Sequence, residues 1–146
     1  MPTFARLTSA VLFAALAYYV STLIPPLFVE ERPLPTLANW NALFGLILGW
    51  RLSSRRGGVG LSAAIGFGIS VSAALFLTAL FFHSSTEMIT RSMRGQYDGP
   101  AQAVVEVANL MYEFGTRIAT VEILGTTFIG GIMVAIFVDV IARRYD

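Results

Sequence analysis

Four long apolar runs, at residues 4–24, 38–52, 59–82 and 123–142, alternate with polar connections along the chain, and a polar stretch at 84–122 separates the third run from the fourth. A helix rises about 1.5 Å per residue, so roughly 20 apolar residues cross a hydrocarbon core about 30 Å thick. Each run therefore predicts a membrane helix. The second is the shortest, and its length leaves little room for tilt. The pattern as a whole predicts an all-α polytopic membrane protein. It forms one domain of four transmembrane helices, with an extramembrane helical hairpin at 84–122 between helices 3 and 4.

The first run ends at Pro25-Pro26. Arg6 ahead of an apolar core and the small residues around Ala15-Leu16-Ala17 also fit a signal peptide, but apolar sequence continues to Ile24, which favours a retained membrane helix. The linker that follows is proline-rich and carries Glu30, Glu31 and Arg32, an extended surface connection. In the second run Trp40 and Trp50 suit the two interfacial zones and Arg51 can snorkel to headgroups. Asn39 and Asn41 read as interfacial amides facing water, with a hydrogen bond to a neighbouring helix as the alternative.

Within the polar stretch nothing breaks a helix between His83 and Met93, so the third helix is predicted to continue beyond the bilayer until Gly95. Glu87 and Arg91 then form an i,i+4 pair. Gly95-Gln96-Tyr97-Asp98-Gly99-Pro100 is the turn. Residues 101–122 predict a second arm, with Val104, Ala108, Met111, Gly115 and Ile118 as its apolar stripe and Gln102, Glu106, Asn109, Glu113 and Arg117 opposite. This arm is expected to run into the fourth span, with Gly115 or Gly125 allowing a bend.

Small residues mark the faces on which spans pack. Gly60, Ala64, Gly68 and Ser72 recur at every fourth position of the third run; Gly45 and Gly49 in the second, and Gly131 and Ala135 in the fourth, offer matching surfaces. Asp139 lies near the inner end of the fourth run with Arg143 one turn on, an ion pair that explains a carboxylate so close to lipid.

Composition agrees with lipid as the main solvent: 55% of residues are hydrophobic and 13% charged, and the mean hydropathy is +0.69. The net charge of +1 gives no surface for nucleic acid. With no cysteine, disulfides, thiolate metal sites and thiol redox chemistry are excluded within the chain. Arginine density sets the orientation. Arg6, Arg51, Arg55, Arg56, Arg143 and Arg144 fall in short segments on one side, whereas Arg32, Arg91, Arg94 and Arg117 are spread over longer segments on the other. Both termini are accordingly expected in the cytoplasm, with the hairpin outside.

No nucleophile, general base or phosphate loop emerges at a catalytic spacing, so the chain is read as a non-enzyme that carries no cofactor. His83 and Glu87 share one helix face and are the weak candidates for a metal, with Met88 or Met93 as a soft helper. Glu87, Arg91, Arg94, Tyr97, Asp98 and Arg117 form the candidate surface for a partner or an oxyanion.

Several stretches together resemble the TrgA family of small tellurium-resistance membrane proteins of alphaproteobacteria. They are MPTFARL at the N-terminus, NALFGLILGWR at 41–51, RRGGVG at 55–60, EMITRSMRGQYDGP at 87–100, and Gly130-Gly131 followed by Ala142-Arg143-Arg144. Tyr145 stands where the family pattern has a tryptophan. The resemblance implies a bacterial inner-membrane protein associated with tellurite resistance. It supplies no catalytic residues, and without cysteine the chain cannot reduce tellurite through thiols. The favoured expectation is an accessory or interaction subunit, with a membrane-protein partner or a homo-oligomer in the bilayer. The alternatives are an oligomeric transporter or channel for an oxyanion or protons, and a metal or oxyanion binder at the outer hairpin.

Overall fold

A computed structural model of the chain describes residues 3–24, 37–53 and 60–145. They form five helices and, among the described residues, no strand: α1 (Thr3–Thr22), α2 (Leu37–Ser53), α3 (Leu61–Met93), α4 (Pro100–Ile118) and α5 (Val121–Tyr145). The protein is all-α. Three helices, α1, α3 and α5, are long and apolar enough to cross a membrane. The other apolar helix, α2, has 17 residues, about 25 Å, roughly one turn less than a hydrocarbon core. The proline-rich linker and the basic turn fall at 25–36 and 54–59, outside the described residues.

Glycine faces bring the helices together in two pairs. Between α1 and α2, Gly45 lies against the carbonyl of Phe13, and a Cβ on Gly49 would sit 2.8 Å from the Ser9 carbonyl oxygen and 3.0 Å from Ala10 Cα. Contact that close leaves room for a side chain to reach the opposite backbone: Ser9 Oγ donates to the Gly49 carbonyl at 3.1 Å. Between α3 and α5, a Cβ on Gly68 would lie 2.7 Å from the Gly131 carbonyl oxygen, and Ser72 Oγ donates to the Thr127 carbonyl at 3.0 Å. Phe13, Phe67, Val71 and Ala135 close the centre, with Phe13 and Phe67 edge to face at 6.0 Å. Ala5, Val138 and Ala142 seal the end near the chain termini.

Gly60 does not belong to the small-residue packing stripe of α3. It precedes α3 at φ 119°, a backbone conformation open to glycine, and faces Arg143 Nη2 rather than a helix backbone.

The longest element is α3, with 33 residues, about 50 Å. Its two ends have different neighbours. Near its start Gly68 and Ser72 meet Gly131 and Thr127 of α5; further on Leu80 meets Gly115, and Arg91 meets Glu106, both of α4. Thus α4 and α5 follow α3 in the reverse direction, one after the other. The second arm does not run unbroken into the last helix, and neither Gly115 nor Gly125 makes the bend. Helix α4 ends at Ile118, Ala119 leaves helical backbone at ψ 49°, and the Thr120 hydroxyl caps the next helix by accepting the Ile123 N–H at 3.2 Å. Glu122 falls in the first turn of α5, where the positive end of the helix dipole favours an acid.

Candidate functional site

The loop between α3 and α4 ends the first helix and starts the second within six residues, 94–99. The Gly95 N–H donates to the Ser92 carbonyl at 3.0 Å and the Gln96 N–H reaches the Arg91 carbonyl at 3.4 Å. With Gly95 at φ 72°, this is a Schellman stop, which satisfies carbonyls that the ended helix leaves open. Pro100 then opens α4, and Gln102 Oε1 accepts the Asp98 N–H at 3.0 Å. Gly99 is extended at φ −175°.

The face of α4 that meets α3 is turned from the expected stripe. Leu110 is 1% exposed and is the buried centre, whereas Val104 is 70% exposed and Ala108 is also outward. Glu106, expected on the water side, instead faces Arg91. The Arg91 guanidinium donates from Nε to Glu87 Oε1 at 3.0 Å and from Nη1 to Glu106 Oε1 at 3.1 Å. Its hydrogen bond to Glu87 pushes Arg91 above its ordinary value, outweighing the opposing effect of partial burial, and the nearby charges add to the rise. Two arms joined by a short turn are thus fastened by one cation between two carboxylates.

Tyr97 leans into this cluster from the turn. Its hydroxyl is enclosed and has no hydrogen-bond partner among the described residues. Desolvation pushes its phenol above the ordinary value, the charge of Glu106 acts in the same direction, and Arg91 opposes. Glu87, Arg91 and Tyr97 of the candidate surface therefore come together, and Glu106 joins them. Arg94 and Asp98 lie exposed on the turn. Arg117 is at the far end of α4, where its Nη2 pairs with Glu113 at 2.9 Å.

A second polar layer crosses the bundle where α1 ends and α2 begins. Ser21 Oγ donates to the Ala17 carbonyl at 2.6 Å and accepts from Asn41 Nδ2 at 2.8 Å. The Asn41 amide is thereby oriented with Oδ1 toward His83, whose Nε2 lies 3.0 Å away. Since an amide oxygen only accepts, this arrangement assigns the imidazole proton to Nε2. Asn41 is 5% exposed. It is an interhelical link and not an interfacial amide on water, while Asn39 is exposed. Trp40, Phe44 and Phe82 cover the link, with Phe82 at 5.1 Å from each of the other two rings. His83 and Glu87 thus face different partners, and among the described residues no group of three His, Cys, Asp or Glu side chains could hold a metal ion.

At the opposite end of the bundle Arg143 Nε donates to Asp139 Oδ2 at 2.9 Å. The described residues form an all-helical protein in which three helices are long and apolar enough to cross a membrane. Comparison with protein-family models, curated proteins and solved structures finds no match.

Proposed function

We propose that the chain is a four-span bacterial inner-membrane protein whose α3–α4 arms form a periplasmic hairpin, and that it serves as an interaction subunit without catalysis of its own. In this reading α2 is the fourth span, with Trp40 and Trp50 near its two ends, and both termini are cytoplasmic by arginine density. One observation carries the functional part. The clustered charges of the arms are spent on one another, as Glu87, Arg91 and Glu106 and as Glu113 with Arg117, while Val104, Val105 and Tyr112 of α4 stand exposed, turned away from α3. That is a surface suited to recognition rather than to chemistry.

The resemblance to tellurium-resistance proteins supports tellurite tolerance as the process this subunit serves, through the complex it joins. An oxyanion site on the arms has less support, because Arg91 already gives its donors to two carboxylates. A proton path through Asp139 has less support for the same kind of reason, its carboxylate being held by Arg143. Purification from native membranes in a gentle detergent, followed by mass spectrometry, tests the reading. A stoichiometric partner or a homo-oligomer is expected. A lone monomer that retains tellurite tolerance in cells after Tyr112→Arg would overturn it.

A further inference from the structure

We propose that His83 is a proton-operated latch between α2 and α3. Neutral, it ties the two helices together; protonated, it releases them at the end of the bundle where α1 ends and α2 begins. His83 is the chain's single histidine. Its Nε2 lies 3.0 Å from Asn41 Oδ1, and Asn41 is in turn held by Ser21 at 2.8 Å. That relay fixes the proton on Nε2 and leaves a lone pair on Nδ1, which is enclosed and has no partner among the described residues. A neutral imidazole tolerates an unused acceptor. An imidazolium in the same place carries a charged N–H donor with nothing to receive it, which is far more costly to enclose. A proton taken from water at Nδ1 is accommodated when the ring turns that nitrogen to solvent, and the turn breaks the bond to Asn41.

The described surroundings offer the cation no counter-charge. To this layer α2 brings Asn41, Trp40 and Phe44 and α1 brings Ser21, none of them titratable; Tyr18 and Tyr19 of α1 are exposed. On α3, Glu87 is one turn on, but its carboxylate is held by Arg91 at 3.0 Å. Helix α4 passes this level between Gly115, which meets Leu80, and Glu106, which meets Arg91. Its titratable groups there are Tyr112, which is exposed, and Glu113, paired with Arg117 at 2.9 Å. Glu122 at the start of α5 is exposed. Glu30, Glu31 and Arg32, between α1 and α2, lie outside the described residues. Helix α2 is fastened to α1 by backbone contact at Gly45 and Gly49, whereas at this end it meets α3 through side chains: the His83–Asn41 bond and the rings of Trp40, Phe44 and Phe82. Loss of the bond therefore parts α2 from α3 and leaves α1 and α2 together. The closed form is complete above the ordinary histidine range, near pH ~6.5, and is lost on acidification. With the arms periplasmic, as proposed above, the latch answers to the pH outside the cell.

A single histidine and the absence of cysteine permit a direct test on the full-length protein, purified without a polyhistidine tag. Isotopically labelled histidine reports the protonation of each ring nitrogen by NMR. Nitroxides at Asn39→Cys and Ile89→Cys, both exposed, report the separation of α2 and α3 by pulsed EPR. Both are followed from about pH 8 to about pH 5, across the ordinary histidine range. The neutral ring is expected to carry its proton on Nε2. A longer nitroxide distance should grow several-fold on acidification, with the midpoint of the histidine signals. His83→Gln, which can donate to Asn41 but takes up no proton, should keep the shorter distance throughout. A histidine that titrates with no change in distance, a neutral ring protonated on Nδ1, or the same lengthening in His83→Gln each overturns the proposal. So does a distance that shortens on acidification, which would point to Glu30 or Glu31 as an acceptor for Nδ1. Should His83→Gln fail to fold, agreement or disagreement of the two midpoints in the chain that keeps His83 decides.

Discussion

Gly66 and Gly68 lie two residues apart on α3, and the same substitution should move stability in opposite directions. A Cβ on Gly66 meets nothing within 4 Å, whereas a Cβ on Gly68 would lie 2.7 Å from both the Gly131 carbonyl oxygen and Ile132 Cα. Replacing a helical glycine by alanine is worth roughly 0.5–1 kcal/mol in backbone entropy and propensity. Gly66→Ala should show that gain. At Gly68 the methyl group meets backbone atoms, which no rotamer change can remove. Ordinary carbon contact begins at about 3.5 Å, so α5 must retreat by roughly 0.8 Å. The Ser72 Oγ to Thr127 carbonyl bond, now 3.0 Å, would then stretch past hydrogen-bonding range, a loss of about 1 kcal/mol. Disturbed packing adds roughly 1–3 kcal/mol. Net of the propensity gain, Gly68→Ala should destabilise by about 1–3 kcal/mol. The assay is reversible unfolding of each purified variant, titrated from mild detergent into dodecyl sulfate. Equal stability of Gly68→Ala and Gly66→Ala would refute backbone contact between α3 and α5 at Gly68.

Gly95→Val should destabilise the arms by about 1 kcal/mol or more, because Gly95 sits at φ 72° in the helix stop; Gly99→Val, at φ −175°, should be tolerated. Limited proteolysis of the turn distinguishes them, and equal sensitivity would refute the assignment of the two glycines. Asn41→Ala removes the bridge between Ser21 and His83 and should cost about 1–3 kcal/mol, read as a lower unfolding midpoint; no change would show that the layer contributes nothing. Tyr97 has its phenol pushed above the ordinary value by burial and by Glu106, so the phenolate absorbance missing from Tyr97→Phe should appear at a pH above about 10. A raised value means that Tyr97's contribution to stability is complete below the ordinary tyrosine range and is lost as pH rises through the shifted value. A midpoint at or below the ordinary range would contradict the enclosure of its hydroxyl.

Three of the apolar runs are legible in the sequence because their length and composition, enough to cross a membrane in α1, α3 and α5, need no knowledge of neighbours. The end of α3 is legible for a similar reason: Gly95 stops a helix by its own backbone freedom. What depends on a second element is not legible in this way. Four-residue spacing of small residues belongs to one helix, but which stripe receives a neighbour does not; Ala64, Gly68 and Ser72 are buried, while Ser62, Gly66 and Ser70 remain on the surface with the same spacing. Asn41 beside Trp40 reads as interfacial, and its partners lie 20 and 42 residues away in sequence. No local pattern connects them.

The composition of α4 explains why its buried face differs from the expected stripe. Charges occupy so narrow a sector that apolar residues cover two adjoining faces, one through Val104, Ala108 and Met111 and one through Ala103, Val107 and Leu110. Periodicity identifies the helix but leaves its rotation open, because either face could have met α3. In the rotation adopted, Leu110 is buried against α3 and Glu106 gives Arg91 a second carboxylate at 3.1 Å. The face then left outward carries Val104, Val105, Ala108 and Tyr112 beside Gln102, Asn109 and Thr116, so α4 has more apolar surface than α3 covers.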